Sequence, residues 1–276
     1  QGKGEDAIAR YREVIQLKHD FAPVYNNFGG LLKELGRLDE ALPHFEEALR
    51  LDPRSAAAMN NIGVVLFARQ CFVEAADMCR RALAVDPHHV EALANLSAAL
   101  NMLRQTEPAI EAARAAIALQ PAHAGAHNNL SFALRDQGAL DEAMAECRTS
   151  VTLKADPKVH GNLLYMMHFH QAFDAAALYK EHLPWNEAYA RPLEKLSAPH
   201  RNDPAPGRRI RIGYVSPDFR SHPIGRFMLG PLANHHKDNV EVFLYSDVIR
   251  PDEATARIQN MGHHGRNIVG LSDQQA

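Results

Sequence analysis

The stretch RIRIGYVSPDFRSHPIGRFM, residues 209–228, is where the pattern of this chain changes. Charged and apolar residues alternate from Arg209 to Val215, which is typical of the first strand of an open sheet. Ser216-Pro217-Asp218 predicts a turn, and His222-Pro223 predicts the start of a helix, because proline is tolerated in the first turn of a helix. The stretch therefore predicts the opening of an α/β domain, joined to the helical array that precedes it.

The residues downstream continue the alternation of strands and helices. A second strand fits VEVFLYS at 240–246, a helix fits 252–261 and a short strand fits about 266–269, while Gly230-Pro231 is expected to kink the preceding helix. Strand–helix–strand–helix order predicts a parallel, doubly wound sheet. Because three strands and two helices are too few to close such a core, residues 209–276 are expected to be a truncated first lobe.

Upstream of the strand, the same residue types recur at a fixed spacing. Small residues at two offsets allow two helices to approach closely, and a proline stops the second helix of each unit. The spacing is 34 residues, as in the tetratricopeptide repeat, which this part of the chain resembles. The residues in register are Phe28, Ile62, Leu96 and Leu130; Gly29, Gly63, Ser97 and Ser131; Ala41, Ala75, Ala109 and Ala143; Ala48, Ala82, Ala116 and Ser150; and Pro53, Pro87 and Pro121.

The array is expected to occupy residues 1–157 and to form an α-helical solenoid. Because Gln1 lies within a helical pattern, residues 1–21 are expected to be the tail of an earlier copy, cut before its start. The full copies span 22–55, 56–89, 90–123 and 124–157.

A degenerate cap and a linker are expected to follow the array. Residues 158–191 lose most of the repeat signature and predict helices at about 159–169 and 174–190. Four prolines and a glycine between residues 192 and 208 exclude a regular element, so this segment is expected to be the boundary between two domains.

One polar position is uniform in the first helices of the repeats, which line the concave face of such a solenoid. It holds Asn27, Asn61, Asn95 and Asn129. Asparagine carries a donor and an acceptor, so this row can pair with an extended peptide backbone without reading its side chains. The alternative is that each asparagine supports a neighbouring helix. The preceding position ranks lower as a peptide contact because its polarity breaks at alanine; it holds Asn26, Asn60, Ala94 and Asn128.

Composition excludes several classes of function. A net charge of −3 argues against nucleic acid or an anionic membrane as the partner. No apolar run is long enough to span a bilayer, and no signal peptide is expected. Cys71, Cys79 and Cys147 form no CxxC pair, which fits a reducing cytoplasm. Three histidine pairs lack the cysteine or carboxylate spacing of a metal site: His88-His89, His235-His236 and His263-His264.

The run GYVSPDFRSHPIGRFM at 213–228, with EVFLYSD at 241–247 and IVGLSD at 268–273, resembles the protein O-linked N-acetylglucosamine transferase family. The arrangement looks bacterial, with a tetratricopeptide array fused directly to the catalytic region. The resemblance implies a two-lobed, Rossmann-like (GT-B type) inverting enzyme that transfers N-acetylglucosamine from UDP-N-acetylglucosamine to Ser or Thr hydroxyls. It also implies that the array binds the acceptor polypeptide, with the asparagine row gripping its backbone. The family reaction needs neither a metal nor a cofactor.

The resemblance places His222 in the cleft near the donor, as a general base or as a positioning group. An imidazole can exchange a proton or donate to a phosphate near neutral pH. The alternative is that His222 only caps its own helix. Asp218 is a candidate base, but a turn-forming carboxylate bonded to the loop backbone is the favoured interpretation. Arg220 and Arg226 are candidate phosphate contacts, although solvated loop arginines are the default, and Arg226 stands where animal relatives carry a second histidine.

The resemblance also implies that the uracil, ribose and most diphosphate contacts belong to a second lobe beyond residue 276. The chain alone is therefore expected to be inactive, as one part of a larger transferase. Two alternatives remain: a related transferase that uses fucose or glucose, and a non-catalytic adaptor that docks proteins on its repeats. A chaperone-docking module would need a clamp of Lys and Arg, which the asparagine row does not supply.

Overall fold

The computed structural model of the chain describes residues 2–197, 205 and 207–271. The chain divides into two compact units, Gln1–Ser197 and Ala198–Ala276, and each unit has its own hydrophobic core. Part of the predicted linker (198–204 and 206) lies outside the described residues, as do residues 272–276 at the end of the predicted lobe.

The first unit is a succession of helices. Four helix pairs begin at residues 22, 56, 90 and 124, which confirms the predicted α-helical solenoid. The α-helices are α1 (Gly2–Leu17), α2 (Ala22–Glu34), α3 (Leu38–Leu51), α4 (Ala56–Ala68), α5 (Phe72–Val85), α6 (Val90–Met102), α7 (Thr106–Leu119), α8 (Ala124–Gln137), α9 (Leu140–Leu153), α10 (Pro157–Met167) and α11 (Ala175–Trp185). A π-helical turn (Asn186–Ala190) and a 3₁₀ helix (Arg191–Leu196) follow.

The closing prolines end the second helix of a repeat and set up the start of the next. Asp52, which precedes Pro53, is extended (ψ 90°), because a residue before proline avoids the helical region. Two residues after Pro53, the Ser55 hydroxyl accepts a hydrogen bond from the Ala58 N–H (3.3 Å) and caps α4. The imidazole Nδ1 atoms of His89 and His123 cap α6 and α8 in the same way. His89 therefore has a structural role at a repeat junction.

The first helices α2, α4, α6 and α8 contact one another from repeat to repeat. Their common outer surface is called the first-helix face below. The second helices pack against the first ones through small residues that are almost completely buried: Ala41, Ala75, Ala109 and Ala143. At Ser97, the hydroxyl donates to the Ala109 carbonyl (2.8 Å), so the small residue of one helix bonds the backbone of its partner.

The degenerate cap keeps the helices but changes their ends. Leu164 and Met167 of α10 are buried against the last repeat, and Trp185 Nε1 donates to the Pro157 carbonyl (3.0 Å). The expectation that residues 192–208 contain no regular element is wrong at their start, because the 3₁₀ helix continues to Leu196. Pro192 is tolerated there because it occupies the first turn, where an N–H has no partner in the helix.

The second unit is a three-stranded parallel sheet with the order β1-β2-β3. Its elements are β1 (Ile210–Ser216), α12 (Pro223–Asn234), β2 (Val240–Ser246), α13 (Glu253–Gln259) and β3 (His264–Asn267). The predicted strand–helix order and parallel pairing are confirmed. The last strand lies two residues earlier than predicted, and α12 continues through Gly230-Pro231.

The core of the second unit lies between the sheet and its two helices. It contains Phe219, Leu232, Val242, Leu244, Val248 and Ile258, each at most 4% exposed. By contrast, Val215 is 68% exposed and Phe227 is 78% exposed. Among the described strands β1 pairs only with β2, so the backbone groups on its other edge have no strand partner there.

The three cysteines differ sharply in exposure, which predicts their order of reaction. Burial raises the pKa of the Cys79 thiol to about 11 and also raises the pKa of Cys147, whereas Cys71 is half-buried at the start of α5. Because the thiolate is the nucleophile, iodoacetamide at pH 8 should modify Cys71 well before Cys79 and Cys147. Peptide mass spectrometry of native and urea-unfolded protein measures this order. Equal rates for Cys71 and Cys79 in the native protein would contradict it.

Candidate functional site

The carboxyl end of the sheet in the second unit is lined by polar residues. Ser216 ends β1 and lies opposite Ser246 at the end of β2, which in turn lies opposite Asn267 at the end of β3. Ligands of open parallel sheets collect at this edge, because the connecting loops diverge there. The row Ser216, Ser246 and Asn267 was not recognised in the sequence, although register follows once the strands are aligned.

His222 is the N-cap residue of α12, at the end of the loop that leaves this edge. Its Nδ1 accepts a hydrogen bond from the Ile224 N–H (3.3 Å), and its side chain remains 36% exposed. The self-capping alternative is therefore observed. It occupies only one ring nitrogen: within residues 207–271, no hydrogen bond involves Nε2. Because Nδ1 acts as an acceptor, the neutral ring carries its hydrogen on Nε2.

The loop backbone is held by side chains other than the one expected. The Ser216 hydroxyl accepts from the Asp218 N–H (3.0 Å), and the Asp252 carboxylate accepts from the Ser221 N–H (2.7 Å). The Asp218 carboxylate instead accepts from Arg220 (3.4 Å) and lies 3.7 Å from His222 Nδ1. Within residues 207–271, the expected bond from the loop backbone to Asp218 is absent, because the serine and Asp252 already take those N–H groups.

Asp252 is a residue that the sequence interpretation missed. Its carboxylate caps α13 through the Thr255 N–H (3.0 Å), and the Thr255 hydroxyl accepts from the Asp252 N–H (3.1 Å). Hydrogen bonds from the backbone of Ser221 and Thr255 hold the pKa of this carboxyl below its usual range. The capping-box spacing Asp252-x-x-Thr255 was available as a signal. A single carboxylate thus fixes the start of α13 to the loop before His222.

The two arginines near this loop have different surroundings. Arg220 pairs with Asp218, whereas Arg226 lines an open cavity of about 440 Å³ together with Ser221, Asp252 and Arg257. Glu253 also lines this cavity, so its two guanidinium groups are balanced by two carboxylates.

The histidine pairs of the second unit have structural partners. His235 shares a hydrogen bond with the Tyr214 hydroxyl (2.9 Å), and His263 Nε2 lies 2.7 Å from the Leu232 carbonyl. Among the described residues there is no group of three His, Cys, Asp or Glu side chains that could hold a metal ion.

The asparagine row of the first unit is linked from repeat to repeat. Asn61 Nδ2 donates to Asn26 Oδ1 (3.0 Å), and Asn95 Nδ2 donates to Asn60 Oδ1 (2.9 Å). Each bond joins the uniform asparagine position of one repeat to the preceding position one repeat earlier. The preceding row, with Asn26 and Asn60, therefore supplies the partners of Asn61 and Asn95.

At Ala94, which has no side-chain acceptor, a backbone carbonyl takes the place of the asparagine oxygen. Asn129 Nδ2 donates to the Ala94 carbonyl (2.8 Å), which replaces the missing side-chain oxygen. One amide N–H each of Asn61, Asn95 and Asn129 is thus engaged within the array, as in the helix-support alternative. Their oxygens differ: Lys33 donates to Asn61 Oδ1, whereas Asn95 Oδ1 and Asn129 Oδ1 are accessible and accept no bond from the described residues.

Asn27 stands at the N-terminal end of the row and is exposed. It lines a cavity of about 500 Å³ with Tyr11, Asn26, Glu34 and Asn61. Three of the four asparagines therefore donate to the preceding repeat, and Asn27 lies at the end of their row.

Both parts of the chain are similar to known protein families. Residues 27–90 and 103–159 match the tetratricopeptide repeat family, and residues 156–276 match glycosyl transferase family 41. The probable UDP-N-acetylglucosamine–peptide N-acetylglucosaminyltransferase SPINDLY of Solanum lycopersicum is 30% identical over 131 residues, which cover 45% of this chain and 14% of that protein. The corresponding probable transferase SEC of Arabidopsis thaliana is 38% identical over 66 residues, which cover 24% of this chain and 7% of that protein.

A solved structure supports the same assignment. An O-GlcNAc transferase mutant from Thermobaculum terrenum matches with a TM-score of 0.71 and 28% identity, covering 79% of this chain and 42% of that one. The chain therefore spans less than half of this solved relative and about a seventh of the tomato protein. These matches confirm the family resemblance carried by the motifs after residue 212. Among the described residues, no helix is both long and apolar enough to cross a membrane.

Proposed function

We propose that this chain, which joins tetratricopeptide repeats to a segment of glycosyl transferase family 41, belongs to a protein glycosyltransferase. In this proposal the repeats bind the acceptor polypeptide, and residues 209–276 begin the lobe that faces the donor. The transfer moves N-acetylglucosamine from UDP-N-acetylglucosamine to Ser or Thr hydroxyls. The observation that carries the proposal is the family 41 match over residues 156–276, directly after a repeat array with an ordered asparagine row.

His222 is proposed as a positioning group in this reaction. With Nδ1 accepting the Ile224 N–H, the hydrogen on Nε2 is available for donation to a phosphate or sugar oxygen. A general base would need a lone pair at that nitrogen. The N-terminus of α12 adds partial positive charge at the same place, which favours an anionic group of the donor.

The first-helix face is proposed to hold the acceptor backbone through oxygen atoms. One amide N–H each of Asn61, Asn95 and Asn129 is already used within the array. The accessible Oδ1 atoms of Asn95 and Asn129 can accept hydrogen bonds from the N–H groups of an extended peptide. Such contacts do not depend on peptide side chains, so they suit an enzyme that modifies many sequences.

A reducing, cytoplasmic setting is part of the proposal. The structure describes all three cysteines and joins none of them in a disulfide, and Cys79 and Cys147 are buried thiols. Disulfides are common in oxidising compartments, whereas buried thiols persist where the surroundings are reducing.

Exchange of His222 for asparagine tests the catalytic proposal. Asparagine can still cap α12, so the helix start is kept while the Nε2 donor is lost. In the natural protein that carries this chain, His222→Asn should lower kcat/KM for sugar transfer to a peptide by about ten- to hundredfold, because a bond to a charged group is lost. The matched control is His236→Asn, an exposed histidine beyond α12, which should leave transfer unchanged.

Donor preference distinguishes the possible transferases, and the pH dependence of the rate distinguishes a general base from a positioning group. Transfer is measured with UDP-N-acetylglucosamine and with nucleotide-activated glucose and fucose, and the first is expected to be used best. If His222→Asn removed the acidic limb of the pH–rate profile, the histidine would be a base rather than a positioning group. If the unmodified protein transferred none of these sugars, the proposed function would fail and the adaptor alternative would stand.

A further inference from the structure

The first-helix face contains a second cavity in the C-terminal part of the array, where Asn129 is joined by residues outside the asparagine row. Its volume is about 490 Å³, and it extends over α6 and α8 with one contribution from the end of α4. The lining combines an apolar wall, three amides and three charged side chains.

The apolar wall comes from a local departure from the repeat pattern. Phe132 occupies the position that holds Gly30, Val64 and Ala98 in the earlier repeats. Met102, which is 53% exposed, and Phe67 complete the wall. A backbone-reading track would need no such wall, since the backbone is the same at every residue. Exposed apolar side chains around a cavity instead favour burial of an apolar group from a partner.

One amide at this cavity has a buried oxygen without a hydrogen-bond partner. Among the described residues, Asn128 Oδ1 is the only side-chain atom of this kind. Asn26 and Asn60, at the same position of earlier repeats, accept from the residue that lies 35 places later. For Asn128 that residue is Leu163, a buried side chain with no donor. A buried acceptor without a partner is costly, so a donor from a ligand is favoured here.

The charged side chains give the cavity a positive excess. Arg104 and Arg135 both pair with the single carboxylate of Asp136 (2.5 and 2.8 Å). The Arg135 guanidinium also lies over the Phe132 ring, 4.7 Å from its centroid, so positive charge borders the apolar wall. The cavity near Asn27 carries Glu34 instead. The two ends of the first-helix face therefore differ in charge.

We propose that the cavity over α6 and α8 is a side-chain subsite for the acceptor polypeptide. It takes an apolar residue against Phe67, Met102 and Phe132, and a peptide N–H donates to Asn128 Oδ1. An acidic residue next to the apolar one lies near Arg104 and Arg135. The inference rests on the proposed function, in which the first-helix face binds the acceptor. It adds that the repeats select sequences as well as holding their backbones.

Binding of synthetic peptides to the full chain, followed by fluorescence anisotropy, tests the subsite. The probe is a labelled peptide of Ser, Thr and Gly that contains one Leu next to one Glu. Matched peptides replace the Leu by Ser or the Glu by Lys. The Leu–Glu peptide should bind at least about fivefold tighter than the Ser–Glu peptide, from burial of the leucine. It should bind about two- to fivefold tighter than the Leu–Lys peptide, from the exposed charges.

Variants of the chain assign these preferences to the cavity. Phe132→Ala should reduce the leucine preference to about twofold or less, and Arg104→Glu should reverse the preference between Glu and Lys. Val64→Ala, at the same position two repeats earlier, is the matched control and should change neither ratio.

The unpaired oxygen of Asn128 is tested separately, by measuring both peptide affinity and melting temperature. Asn128→Ala should weaken every peptide without lowering the melting temperature, since its oxygen has no partner to lose. Asn60→Ala, which removes the partner of Asn95, should lower the melting temperature. If no peptide bound the chain, both the subsite and the proposed role of the repeats would be overturned. If peptides bound but Phe132→Ala left the leucine preference intact, only the subsite inference would fail.

Discussion

Replacement of Gly225 by alanine is expected to destabilise the second unit by about 3 kcal/mol, because the new methyl group has no space. Gly225 is buried in the first turn of α12. A Cβ atom there would lie 2.2 Å from the Arg220 carbonyl oxygen and 2.8 Å from the Asp218 carbonyl oxygen. Both atoms belong to the backbone of the loop before His222, so neither can move aside as a flexible side chain can.

The loop itself is held in place and cannot easily shift. The Ser221 N–H is bonded to Asp252 and the Asp218 N–H is bonded to Ser216. A loop that yields to the methyl group must break at least one of these bonds and displace His222. Gly225→Ala should therefore also lower sugar transfer by the natural protein at least as much as His222→Asn does.

Hydrogen exchange measures the effect on stability, with Gly230→Ala as the matched control. Gly230 lies in the same helix, and a Cβ atom there would meet nothing within 4 Å, so alanine should stabilise the helix by up to about 1 kcal/mol. Gly225→Ala should lose protection in β1 and α12, while the fluorescence of Trp185, in the first unit, stays unchanged. Equal protection in the two variants would show that the close approach at Gly225 is relieved cheaply.

Most strands and helices of the second unit could be predicted from the sequence, because the residue patterns that specify them are local. Strand β2 coincides with the alternation in VEVFLYS, and α12 starts at Pro223, as the His222-Pro223 pair predicts. The partners of the loop were not predictable in the same way. Asp252 reaches Ser221 across a helix, a strand and a turn, and nothing in the spacing of the two residues specifies that contact.

In the repeats, too, the positions of residues could be predicted from the sequence, whereas their contacts could not. The spacing of 34 residues identified the asparagine row, but the hydrogen bonds join residues 35 apart. That offset depends on how neighbouring first helices are rotated against each other, which periodicity alone does not reveal. Once the offset is known, Leu163 in place of an asparagine accounts for the unpaired oxygen of Asn128.

A second prediction concerns the small residue at which paired helices touch. The position of Gly29, Gly63, Ser97 and Ser131 corresponds to a second-helix position that holds Phe45, Cys79, Ala113 and Cys147, so the largest of these four residues lies opposite a glycine. A Cβ atom on Gly29 would lie 2.6 Å from the Phe45 ring, whereas one on Gly63 would lie 3.1 Å from Cys79 Sγ. In the first repeat, therefore, the phenylalanine ring packs against a glycine, which has no side chain.

Gly29→Ser is therefore expected to destabilise the array by about 2–3 kcal/mol, through overpacking against a ring that is completely buried. Phe45→Cys is expected to cost about 3–5 kcal/mol, through the lost ring contacts and the cavity left behind. The control is Gly30→Ala, because a Cβ atom on this neighbouring glycine would meet nothing within 4 Å. It should be neutral or slightly stabilising in the same helix.

The double variant Gly29→Ser/Phe45→Cys reproduces the pair of residues, Ser131 and Cys147, that occupies these two positions in the fourth repeat. Its loss of stability should be smaller than the sum of the single losses by about 1–3 kcal/mol, because the serine occupies space that the ring has left. Urea unfolding by circular dichroism gives the four free energies of this cycle. Additive losses would mean that the two positions do not compensate each other, and that helix spacing in each repeat is set by other contacts.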